Sequence, residues 1–226
     1  MRYQKYLTKN TDDSSNSTAA IIKESAQKLF LSNGYESTTI RDIAAVAQVT
    51  PGLVMYHYKS KENLAKAVFT ELRERIYDYL KSVIDFSALP VGERLYVLTI
   101  SFWKFIDESN MYSDFFHSLL AKTNIGDELS SAFKNLTQLV IQSYGLKVTI
   151  HENNIYLTAL VGAQKHLVLQ EHFMQFDVNY YEIANLLISN YLYNIGLPDH
   201  EIAKIIENGS NFLEHLDLKV DLMHAV

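Results

Sequence analysis

The side chains able to carry chemistry are unevenly supplied. The chain has eight His and no Cys, which excludes disulfides, thiolate nucleophiles and Cys-based zinc sites. The histidines are His57, His117, His151, His166, His172, His200, His215 and His224. Two metal ligands on one helix face need a spacing of three or four. His166 and His172 do not have it, and Glu171 faces a different way from His172. A cross-helix set built on His117 and His166 is a candidate geometry for a metal or haem. No metal and no cofactor is expected. Enzyme motifs are missing too: there is no phosphate loop, no GxSxG and no HExxH, and no spacing forces two carboxylates together. The expectation is that the chain is not an enzyme and has no catalytic residues.

What the sequence does offer is concentrated in "VTPGLVMYHYKSKENL", residues 49–64. Thr50 can cap a helix whose first residue is Pro51, a position where the missing N–H has no helical partner to lose. The Pro-Gly pair therefore opens a helix. Val54 and Tyr58, four apart, face inward and leave Leu53, Met55, Tyr56 and His57 for other faces. Upstream, "STTIRDIAAVAQV" has Thr39 as an N-cap and Asp42 completing a capping box. Ile40, Ile43, Ala44 and Ala47 give this helix a short apolar face. The connection "QVT" is too short to travel, so the next helix must turn sharply. A first helix over Thr18–Asn33 carries Ile22, Ala26, Leu29 and Phe30 on one face and stops at Gly34. A long fourth helix keeps its period through Leu64, Ala67, Val68, Leu72, Ile76, Tyr79, Leu80 and Val83. Two short helices joined by a tight turn, with another helix behind, make a helix-turn-helix.

"GYESTTIRDIAAVAQVTPGLVMYHYKSKENL" resembles the DNA-binding signature of the TetR family of transcriptional regulators. The likeness lies in the Gly-aromatic end of the first helix, in "TTIRDIA", and in "VTPGLV" followed by aromatic-His-aromatic and "SKENL". It implies that Thr39 and Arg41 touch phosphate. It also implies that Thr50, Pro51, Gly52 and Leu53 begin a helix that reads base edges, and that Lys61 meets phosphate. His57 and Tyr58 match a His-aromatic pair. Two positions depart from the pattern. Gln48 stands where the turn usually has Gly, so a left-handed turn there is strained. Met55 stands where a Tyr is common, with Tyr56 one place later.

The recognition helix offers Thr50, Pro51, Leu53 and Tyr56 to bases, with no Arg or Asn for a bidentate purine contact. Modest direct readout, a preference for A·T-containing half-sites and a contribution from DNA shape follow. Arg41, Lys59 and Lys61, with Arg2, Lys5 and Lys9 on the tail, supply salt-dependent phosphate attraction. Charge is distributed accordingly. Residues 1–62 hold eight Lys/Arg against six Asp/Glu, and the rest of the chain holds twelve against twenty.

Of the 226 residues, three are Pro and eight are Gly, which favours long helices over a turn-rich β fold. The fold class expected is all-α: a three-helix helix-turn-helix head on a larger helical body. Residues 1–17 read as a disordered tail, 18–64 as the head and 65–226 as the ligand-binding and dimerisation body. Further helices are expected over 91–108, 111–122, 126–144, 153–174, 179–195 and 198–216, with "LKVTI" (146–150) as a β-like turn. No apolar stretch reaches membrane-spanning length and the N-terminus lacks an apolar signal region, so a cytoplasmic protein is expected. Phe102, Trp103, Phe116, His117, Tyr156 and His166 are candidates to line an apolar cavity with a few polar anchors. The resemblance implies a homodimer formed by the last long helices. The function expected is a ligand-responsive regulator, most simply a repressor, on a two-fold-symmetric double-stranded operator. A small, largely apolar inducer would release it. The alternative is a helical protein-interaction module that uses DNA only as a scaffold or not at all.

Overall fold

The computed structural model describes residues 11–107, 110–172 and 179–215. These form ten α-helices and one 3-10 turn (Phe86–Ala88), with no strand among the described residues. Two compact units divide the chain, the first ending at Glu71 and the second beginning at Leu72.

In the first unit, α1 (Thr11–Asn33) is longer than its apolar period predicts. Residues 1–10 of the expected tail lie outside the described residues. Residues 11–17 are helical. Ile22, Ala26 and Phe30 are buried in succession along α1. Gly34, at φ 84°, ends it with a left-handed residue whose N–H donates to Phe30 O. α2 (Ile40–Val46) and α3 (Pro51–Tyr58) follow, and α1 packs against both. α4 (Lys61–Val83) starts in this unit. Leu64, Ala65, Val68 and Phe69 are all buried and belong to the head. The unit therefore ends at Glu71 rather than at residue 64, because the first turns of α4 carry part of the head's core.

The second unit holds the rest of α4, then α5 (Val91–Asp107), α6 (Asn110–Lys122), α7 (Gly126–Ser143), α8 (Ile150–His172), α9 (Tyr180–Asn194) and α10 (Asp199–Glu214). α5 is the central rod. Leu95, Tyr96, Val97, Ile100, Phe102, Trp103, Phe105 and Ile106 are buried all round it, as a helix surrounded by others must be. It packs against α6, α7, α9 and α10. The approach to α10 is close: a Cβ on Gly209 would lie 2.3 Å from the Tyr96 ring, and one on Gly92 2.4 Å from Ile205 Cδ1. The Tyr96 hydroxyl is pinned between Asn185 Oδ1 (2.7 Å) and Ser210 Oγ (2.8 Å). The segment read as a β-like turn is the N-cap of α8. Thr149 Oγ1 accepts from Glu152 N, and the Glu152 carboxylate accepts from Thr149 N at 2.8 Å. Val83, expected on the buried face of α4, is 46% exposed at the helix's last residue.

Candidate functional site

The helix-turn-helix is built by local capping. Thr39 Oγ1 accepts from Asp42 N at 3.2 Å, and the Asp42 carboxylate accepts from Thr39 N at 2.8 Å. The Thr39 hydroxyl, then its backbone N–H, hold the Asp42 carboxyl below its ordinary range. Ile43 and Ala44 bury the inner side of α2, and Arg41 is exposed on the outer side. The turn then closes on Gln48 at φ 55°, with Val49 N donating to Ala44 O at 2.9 Å. Gln48 thus takes the left-handed conformation that the missing glycine would have held.

Thr50 caps α3, its Oγ1 accepting from Leu53 N at 3.3 Å, with Pro51 in the first turn. Val54 is fully buried. The half-buried Tyr58 donates its hydroxyl to Ala19 O on α1 at 2.7 Å, and burial pushes its phenol upward, with Glu71 adding to the effect. This apolar pin and this tether fix the rotation of α3. Thr50, Pro51, Gly52, Met55 and Tyr56 are left exposed, Leu53 and His57 partly so, and Tyr56 shows 66% of its surface. A Cβ on Gly52 would meet only the cap, Thr50 Oγ1 at 3.9 Å, so the N-terminal turn of α3 is open to a close approach.

Lys61 has a different setting from the one its sequence position suggests. Its ammonium donates to the carbonyls of Tyr35 (2.9 Å), Thr38 (3.1 Å) and, at longer reach, Glu36 (3.4 Å). It also stands 4.3 Å from the centre of the Tyr35 ring. An ammonium has three protons, and these carbonyls can take all of them. Lys61 therefore clamps the loop between α1 and α2. No spacing signals a clamp between residues 26 apart in the chain. Sequence reasoning also missed the positive φ of Lys59 (66°), whose ammonium folds back to Tyr56 O at 2.7 Å.

In the body, four of the six cavity candidates are brought together. Trp103 and Phe116 have ring centroids 5.1 Å apart, Phe102 and Trp103 5.7 Å, Phe102 and Phe116 6.2 Å, and Phe116 and His117 6.0 Å. All four are buried. His117 Nδ1 lies 2.7 Å from Ser113 O, which favours the tautomer with its proton there. Tyr156 and His166, on α8, enter none of these ring contacts, and His166 is exposed. An open cleft of about 360 Å³ lies elsewhere, lined by Pro90, Val91, Arg94, Leu139, Ser143 and Tyr144. None of the six candidates lines it. Arg94 there is committed to the backbone, donating to Leu89 O (2.6 Å) and Ser87 O (3.2 Å). The described residues contain no group of three His, Asp or Glu placed to hold a metal. The His172 side chain lies outside them. No helix among them is long and apolar enough to cross a membrane.

An all-helical chain with a capped, outward-facing second helix behind a sharp turn defines a helix-turn-helix protein. Residues 22–68, which lie in the head, match the family described as "Bacterial regulatory proteins, tetR family". The HTH-type transcriptional regulator TtgR of Pseudomonas putida is 34% identical over 74 residues, 33% of this chain and 35% of that protein. The HTH-type transcriptional repressor KstR2 of Rhodococcus jostii is 26% identical over 124 residues, 52% of this chain and 60% of that one. The chain thus spans about a third of the first relative and three-fifths of the second. Among solved structures, RolR in complex with resorcinol superimposes with a TM-score of 0.62 over 86% of this chain and 95% of its own, at 15% identity. That likeness is one of fold.

Proposed function

We propose that the chain is a ligand-responsive transcriptional regulator, acting as a repressor on a two-fold-symmetric operator bound by a homodimer. The observation that carries this reading is α3: a helix fixed by Val54 and Tyr58 that turns Thr50, Pro51, Gly52, Met55 and Tyr56 outward. Thr39 and Arg41 meet phosphate at the start of α2. Thr50, Pro51, Gly52, Leu53, Met55 and Tyr56 enter the major groove, where apolar groups read thymine methyls and hydroxyls read several bases. His57 flanks them. Lys61 contributes by holding the α1–α2 loop, and reaches phosphate only by giving up a carbonyl.

The outer faces of α8 and α9 support the homodimer. Ile155, Leu186 and Tyr193 are 52%, 54% and 65% exposed, and the exposed Ala159 and Gly162 let a second helix come close. Such dimers read half-sites about one helical turn apart, or a multiple of it. An inducer bound in the body weakens operator binding by its differential affinity for the two states, and the operator weakens inducer binding equally. α4 contributes to both units and is the covalent route between them.

Selection of random duplex DNA by the purified chain at two salt concentrations tests this. A palindromic motif that weakens with salt is the expected result. Absence of enrichment at low salt would sink the reading.

A further inference from the structure

Arg73, on α4 in the body, is 9% exposed. One Nη donates to the backbone carbonyl of Glu128. Its Nε, shut off from water, has no hydrogen-bond partner, and none of the ion pairs among the described residues includes it. A guanidinium is a rigid fork of donors that stays charged at any physiological pH. Burying it with an unmet N–H and no ion pair is costly.

Its surroundings suggest what would. One turn further along α4, Tyr77 lies close enough to feel the Arg73 charge. Burial nonetheless pushes its phenol up to about 12, so it is a neutral O–H donor at working pH. The Tyr77 ring is 5.8 Å from that of Phe102, at the edge of the cluster with Trp103 and Phe116. An aromatic wall therefore adjoins a phenol donor, and that phenol lies within the field of a guanidinium that has no ion pair. Ser101, fully buried beside Phe102 in the chain, also has an unpartnered hydroxyl.

We propose that the body's effector is an amphipathic carboxylate, with its apolar frame against Phe102, Trp103 and Phe116 and its carboxylate accepting from Arg73 Nε. This deepens the ligand-responsive reading and rests on it for the word effector. It also amends the largely apolar inducer expected from the sequence. A carboxylate offers two oxygens to the guanidinium fork and supplies the missing charge. A neutral molecule of the same shape brings no charge to pair with the cation.

The chain's single Trp is Trp103, so its fluorescence reports on this site without labelling. The full-length protein is titrated with 3-phenylpropionate and octanoate, and in parallel with their amides. Expected are saturable changes in Trp emission for the acids, with at least tenfold weaker binding of the amides. Arg73→Met should abolish the preference for acid over amide while leaving the ligand-free melting temperature unchanged or higher, since an unpaired buried charge is removed. Arg73→Lys, which keeps the charge without the fork, should restore part of the preference. Equal affinity for acids and amides, no saturable response to either acid, or an acid preference that survives Arg73→Met would each overturn the proposal. If the Met variant fails to fold, the acid–amide contrast in the unaltered chain decides alone. Binding to the selected duplex is measured separately without probe. Duplex binding without acid binding removes this inference only. Acid binding without duplex binding removes the regulator reading only.

Discussion

In the head, Arg41, Thr50, Met55 and Tyr56 face solvent, whereas in the body Arg73, Glu93, Ser101 and His117 are buried. The head's outward groups sit on short helices set by caps three residues apart, so their direction follows from nearby sequence. The body's polar groups are placed by helices that meet across long chain separations. The Tyr96 hydroxyl meets Asn185 and Ser210, and Asn208 Nδ2 donates to Glu93 Oε1. Local order thus governs the surface proposed to read DNA, and non-local packing governs the interior proposed to sense.

Six substitutions can break or sharpen that contrast. The largest effect is expected in the body. Gly209→Ala drives a methyl into a Tyr96 ring held at its hydroxyl by two partners, and overpacking of this kind costs about 1–3 kcal/mol. Gly92→Ala meets the flexible Ile205 side chain and, at 3.3 Å, the Tyr144 hydroxyl, and should cost less; equal losses in thermal melts would contradict the ring-lock account. Next comes Lys61→Met in the head. It removes charge-assisted bonds to backbone carbonyls, worth about 2 kcal/mol, and should lower head stability more than it lowers the salt dependence of operator binding. The reverse pattern would restore Lys61 as a phosphate contact.

Arg41→Ala should do the opposite, leaving the melt within about 0.5 kcal/mol and reducing the salt slope by about one. Thr50→Ala deletes the cap of α3 and should cost about 1 kcal/mol, read by denaturant titration. The smallest effect is one of pH. The Asp42 carboxyl is held low by Thr39, so its contribution is complete above the unfolded value of about 3.9. That contribution is lost as pH falls through the lower folded value. Asp42→Asn should flatten the acid limb of the head's stability profile below about pH 4, and an unchanged limb would show that the capping box does not persist in solution.

The legible parts of the molecule divide along the same line. The two caps at Thr39 and Thr50, the left-handed Gln48, and the burial of Val54 beside the tether at Tyr58 could all be read from residue type and spacing, because each is settled within a few residues. Most later helix limits also fell within a residue or two of their punctuation. The Lys61 clamp was not legible: a lysine opening a helix looks the same whether it faces phosphate or a carbonyl cage. Arg73 and Tyr77 were missed because their i, i+4 spacing matches countless solvent-facing pairs, and burial depends on α5 arriving from the other side. The aromatic cluster was half visible. "SFWKF" and "DFFH" announced aromatics, but only packing separates Phe102, Trp103, Phe116 and His117 from Tyr156 and His166.

The recognition helix has one further consequence. Of its eight residues only Val54 is fully buried, and Tyr58 adds one tether, so most of α3 has almost no part in folding. Its outward positions can therefore mutate with little risk to the scaffold. On the proposed reading, a duplicated copy of the gene could acquire a new operator by changes at Met55 or Tyr56 alone. A new effector, by contrast, would require coordinated changes in a packed interior. Divergence among descendants of such a chain should then run faster in what they bind on DNA than in what they sense.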